Sequence, residues 1–102
     1  MEIFLEPALQ EHMKKKKKTT IIVEAVTCNN SDFEITELSV RWAGARQAAV
    51  YKEQNSYFLK QLPEFEILLP DHRTKYKDTV TFGLKSFLGI KYLTYEGIAV
   101  AK

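Results

Sequence analysis

Apolar side chains return at every second position in a series of short runs, and this period of two restricts the chain to folds built from strands. Phe65, Ile67 and Leu69 alternate with Glu64 and Glu66, and Val80, Phe82 and Leu84 alternate with Thr79 and Thr81. From Thr20 to Cys28 both parities are apolar: Ile22, Val26 and Cys28 with Glu24 on one face, and Ile21, Val23 and Ala25 on the other. Such a strand belongs well inside a sheet. Val, Ile, Thr, Phe, Tyr and Trp supply 31 of the 84 residues from Thr19 onward, an excess of the types that suit a pleated, half-buried surface.

The run Asn29-Asn30-Ser31-Asp32 is the clearest turn. Beyond it Phe33 and Ile35 share one parity and Leu38, Val40 and Trp42 the other, which predicts a bulge or bend near Thr36-Glu37. Further strands are expected at Ala48–Lys52, Tyr57–Gln61, Glu64–Leu69, Thr79–Leu84 and Tyr92–Ala101, with breaks at Ala43-Gly44-Ala45, Gln54-Asn55-Ser56, Pro63, Pro70-Asp71 and Gly89. Turn signals every 8–12 residues or so are the signature of a sandwich or a small barrel. No long helical pattern separates the strands, so a doubly wound fold is disfavoured.

The first eighteen residues read differently. Residues 1–13 contain Glu2, Glu6 and Glu11 and no Lys or Arg, Lys14, Lys15, Lys16, Lys17 and Lys18 follow without a break, and the remaining ten cations balance ten carboxylates. The net charge of +2 thus describes one lysine run, and a body positive enough to bind nucleic acid by bulk charge is excluded. Pro7, acid before it and lysines after it suit a short helix carrying Leu9 and Met13 on one face. Ile3-Phe4-Leu5 ahead of it suits a strand or an apolar anchor. Acid precedes lysine, the reverse of a secretion signal, and the longest apolar patches, such as Phe87-Leu88-Gly89-Ile90, are far short of a membrane span.

Few residues offer chemistry. His12 and His72 are the only imidazoles, Cys28 is the only thiol, and the four glycines are isolated, so no loop cradles a phosphate. The best catalytic pairing is Cys28 with His72. Against it, Cys28 ends an apolar strand and reads as a small buried hydrophobe, and His72 sits in the turn Pro70-Asp71-His72-Arg73. Glu64 and Glu66 lack a third ligand and read as a solvated strand face. No catalytic residue, metal or cofactor is expected. A lone cysteine excludes an internal disulfide and suits a reducing compartment, hence a cytoplasmic placement, with a virion or other assembly component also compatible.

The Cys28–Trp42 spacing, the polar turn after a first long strand, and the Thr79-Val80-Thr81-Phe82 strand after the Pro70-Asp71 loop are similar to immunoglobulin-type sandwiches, although the second cysteine is absent. The expected fold is all-β: residues 1–18 as a helical or extended leader, then residues 19–102 as a single immunoglobulin-like antiparallel β-sandwich of about seven strands. A small OB-like barrel is the alternative. The expected function is a noncatalytic protein–protein interaction module, an adaptor or small structural subunit. It would dock on another protein or a further copy of itself through Ile3, Phe4, Leu5, Leu9 and Met13, or through an exposed edge strand. Nucleic-acid binding through Lys14 to Lys18 with Arg73, Lys75 and Lys77 is the second expectation. No membrane span and no small-molecule substrate are expected.

Overall fold

The computed structural model describes residues 1–29, 34–54 and 56–101, with the backbone alone at 27–29 and 34–36. Its elements run β1 (Glu2–Leu5), α1 (Pro7–Lys15), β2 (Thr20–Asn29), β3 (Glu34–Ala43), α2 (Ala45–Lys52), β4 (Tyr57–Gln61), β5 (Glu66–Pro70), β6 (Thr74–Phe87) and β7 (Ile90–Val100). The chain is mostly β, in two open sheets ordered β1-β6-β7 and β3-β2-β5-β4. Among the described residues neither sheet closes into a barrel.

The doubly apolar run becomes β2, an interior strand between β3 and β5, as its two apolar faces require. Ile21 and Val23 enter the main core with Phe65, Ile67, Leu69, Val80, Phe82 and Ile98, contributed by both sheets. Ile22, on the opposite face, packs with Leu68, Ala43 and Ala48 beneath α2. The four-stranded sheet is therefore covered on both sides, by the other sheet and by a helix.

That helix replaces the strand expected at Ala48–Lys52. Three alanines, Arg46 and Gln47 are strong helix formers, and a residue with a small side chain, Ala48, is what the close approach to Ile22 and Leu68 accommodates. The wholly antiparallel arrangement is also corrected: β1 pairs with β6, and β2 with β5, in parallel. The β2–β3 ladder runs in unbroken register from Thr20↔Ala43 to Asn29↔Glu34, so there is no bulge at Thr36-Glu37. The irregularity lies instead in β6 between Tyr76 and Thr81, facing the left-handed Gly97 (φ 89°). The turn expected at Asn29–Asp32 falls largely outside the described residues.

The leader is not separate from the body. β1 adds a parallel edge to β6, and the Glu6 amide donates to the Phe82 carbonyl at 2.9 Å. Leu5, Leu9 and Met13 are buried in the main core beside residues of both sheets. The start of the lysine run belongs to the same helix and its end is ordered by backbone hydrogen bonds. Lys14 and Lys15 complete α1, the Lys17 amide donates to the Lys14 carbonyl, and the Lys18 amide donates to the Met13 carbonyl at 2.8 Å. With Lys17 at φ 57°, this is a Schellman-type helix end built on lysine in place of glycine.

Candidate anion-facing hairpin surface

β6 and β7 form a hairpin whose last pair is Phe87↔Ile90, leaving Leu88-Gly89 as a two-residue loop. Both loop residues have positive φ, 51° and 81°, the requirement of a type I′ turn matched to the strand twist. Gly89 meets that requirement without strain. Leu88 does not, because a bulky L-residue in the left-handed region is costly and Asn or Gly is the usual occupant.

This strained turn carries the most exposed apolar side chains at the hairpin end. Phe87 is 66%, Leu88 86% and Ile90 70% exposed. Phe87 and Ile90 face each other across the ladder, Lys85 and Tyr92 form the next pair but one, and Lys91 is paired with Ser86 between them. Cross-strand partners share a face. Phe87, Ile90, Lys85 and Tyr92 therefore occupy one side of the ribbon, and Lys91 the other.

The end of α1 comes to meet Lys91. His12, Lys15 and Lys16 line a depression together with Lys91 and Gly89. A neighbouring depression adds Ala8, Glu11 and Leu84, and a third is bounded by Arg41, Trp42, Lys91 and Tyr92. Among the described residues, Glu11 is the one carboxylate lining these depressions. The His12 ring lies 5.0 Å from Trp42, centroid to centroid, tilted by 59°. Burial of His12, reinforced by Lys91, Lys16 and Lys15, holds its pKa below the usual histidine value. The arrangement is a convex apolar tip with cations behind it on both faces.

The residues singled out from sequence distribute themselves differently. Leu5, Leu9 and Met13 are core, Ile3 is half-buried, and only Phe4, 53% exposed, remains open to a partner. Ile3 and Phe4 border a shallow depression with Leu62 and Pro63. Three of the five members of that set thus already have intramolecular partners. Within the lysine run, Lys14 pairs with Glu64 at 2.6 Å, and Lys15 and Lys16 face the hairpin. Arg73, Lys75 and Lys77 are exposed, but they lie at the opposite end of β6, where Lys75 pairs with Ala99. At about 3.3 Å per residue, Lys75 and Lys85 are separated by roughly 30 Å. The two cationic groups thus do not make one surface.

Elsewhere, Arg41 pairs with Glu24 at 2.7 Å, its guanidinium sits 5.0 Å from the centre of the Tyr51 ring and donates to the Tyr51 hydroxyl, and that hydroxyl donates to Glu24. The two opposite charges neutralise each other and, through Tyr51, fasten α2 to the sheet, while the buried Arg41 Nε has no hydrogen-bond partner among the described residues. His72 lies 3.7 Å from Asp71 in an exposed turn, and the Cys28 side chain is outside the described residues. Among the described residues no three His, Cys, Asp or Glu side chains group to hold a metal. No helix among them is long and apolar enough to cross a membrane.

His12, Trp42 and Lys91 were not legible as neighbours from sequence, since they come from three separated segments. The hairpin had a signal: a residue followed by Gly, flanked by alternating strands, at Leu88-Gly89. No family model, curated protein or solved structure matches the chain.

Proposed function

We propose that the chain is a noncatalytic interaction module, an adaptor or small subunit, whose working surface is the β6–β7 hairpin end and whose partner is anionic. One observation carries this reading: Lys15 and Lys16 from the lysine run converge with Lys91 beside a turn that exposes Phe87, Leu88 and Ile90. Apolar side chains this exposed and contiguous mark an interaction surface, and the cations select the sign of what it meets. The likeness to immunoglobulin-type sandwiches rests on sequence alternation alone and adds nothing to the choice of partner. The lone cysteine supports a reducing compartment.

Two charge-matched variants test the reading. Lys15→Gln/Lys16→Gln/Lys91→Gln removes three cations at the hairpin end, and Arg73→Gln/Lys75→Gln/Lys77→Gln removes three at the far end. Binding at low salt is measured against phosphatidylserine vesicles, single-stranded DNA and polyglutamate. The first variant is expected to lose whichever binding the wild type has, and the second to keep it. Equal losses in both, or no binding of the wild type to any of the three, overturn the proposal.

A further inference from the structure

We infer that the anionic partner is a lipid bilayer surface, with Phe87, Leu88 and Ile90 entering the headgroup region as a wedge and Lys15, Lys16, Lys85 and Lys91 lying over the lipid phosphates. This rests on the cationic hairpin reading above and names its partner. Three features of the tip favour lipid over a folded macromolecule.

The first is shape. The apolar groups crown a two-residue turn at the far end of a ribbon, so the surface is convex. A protein would need a matching groove to bury such a tip, whereas the interfacial layer of a bilayer yields to it. The second is depth. At roughly 3.3 Å per strand residue, Phe87 and Ile90 lie within about 7 Å of the turn's apex, and interfacial segments sink about 5–10 Å. Lys85 and Lys91 then fall at headgroup level, one on each face of the ribbon, so neither must be dragged into hydrocarbon. The third is composition. Binding of single-stranded nucleic acid by stacking uses aromatic faces, and two of the three tip side chains are aliphatic.

The strained turn agrees with this. Leu88 occupies a left-handed position (φ 51°) that Asn or Gly would fill without strain. Strain retained at an exposed residue with no intramolecular packing role is accounted for when the residue serves an external contact.

The test is co-sedimentation of the full chain with vesicles of phosphatidylcholine alone or mixed with phosphatidylserine. It compares wild type, the tip variant Phe87→Ser/Leu88→Ser/Ile90→Ser and the variant Lys15→Gln/Lys16→Gln/Lys91→Gln. Because the substituted tip residues are exposed, far-UV circular dichroism and the thermal midpoint serve to show that each variant is folded. A Leu88→Trp chain in a Trp42→Phe background reports depth through quenching by lipids brominated on their acyl chains. Expected are binding that requires phosphatidylserine, a loss of about 100-fold in the lysine variant at roughly fivefold per cation, a loss of at least ~10-fold in the tip variant, and acyl-chain quenching of the tryptophan. Binding that depends on the lysines but survives the tip variant without quenching overturns the wedge and leaves the anionic-partner reading standing. Binding to single-stranded DNA or polyglutamate with none to vesicles does the same. Absence of binding to every probe overturns both.

Discussion

Truncation of Leu9 to alanine tests whether the first helix is part of the core or an arm resting on it. Leu9 and Met13 are fully buried, in a cluster that includes residues of both sheets. Removing a buried leucine side chain costs the lost transfer free energy plus the cavity left behind, about 2–5 kcal/mol. A domain of this length has about 5–15 kcal/mol of stability in total. Leu9→Ala should therefore remain folded with a clearly lowered urea midpoint and an unchanged slope, whereas Leu9→Ala/Met13→Ala should be largely unfolded or close to it. Phe4→Ala, on the same leader but half exposed, is the internal control and should cost under about 1 kcal/mol. Trp42 is the sole tryptophan, and it touches His12 of α1, so its fluorescence reports the docking of that helix while far-UV circular dichroism reports the sheets. The two transitions should coincide. A Leu9→Ala cost below about 0.5 kcal/mol, or a Trp42 transition that precedes loss of the sheets, would refute the single-core account.

Other outcomes follow from particular residues. Gly97→Ala should destabilise by about 2–5 kcal/mol in denaturant, because a Cβ there would sit 2.4 Å from the Thr79 carbonyl oxygen at a left-handed position (φ 89°); a loss under about 1 kcal/mol would contradict it. Leu88→Asn should raise stability by about 1 kcal/mol while weakening binding to phosphatidylserine vesicles, so a variant that gains or loses both together would argue against the trade-off. His12, faced by Lys15, Lys16 and Glu11 on α1, Lys91 on β7 and Trp42 on β3, has a folded pKa below its usual 6.5. The folded state then binds fewer protons than the unfolded one, so the stability it contributes is present above pH 6.5 and is lost as pH falls below it. An anionic surface offsets the lysines and favours the imidazolium, so vesicle binding should tighten over the same acid window. His12→Gln should flatten both trends, and an unchanged pH profile in that variant would assign them elsewhere.

The strand content was legible because alternation is a local property. Phe65, Ile67 and Leu69, and likewise Val80 and Phe82, face the core as their parity requires, and β2 lies inside its sheet because both of its faces are apolar. The pairing was not legible, since nothing in a run of alternating residues says which strand lies beside it or in which direction. Leu9 and Met13 show a related gap. Two apolar residues four apart identify a helical face, but whether that face meets the same chain or a different one is settled by tertiary packing. The helix Ala45–Lys52 is not legible locally because Val50 and Tyr51 weigh toward strand, while its alanines and Arg46 carry the opposite preference. At the candidate site, Phe87-Leu88-Gly89-Ile90 was visible only as a short apolar patch. The convergence of Lys15 and Lys16 with Lys91 depends on how α1 crosses toward β7, which no short-range pattern encodes.

The parallel pairing of β1 with β6 has a bearing on how the protein is made. Glu2 finds its partner at Thr79, so during synthesis the first strand emerges long before the strand that receives it. Until then Leu5, Leu9 and Met13 have no core to enter. Contacts this distant along the chain form late and slowly, and unpaired apolar segments are prone to wrong associations in the interval. Five consecutive lysines directly after those residues set a block of like charge against such encounters.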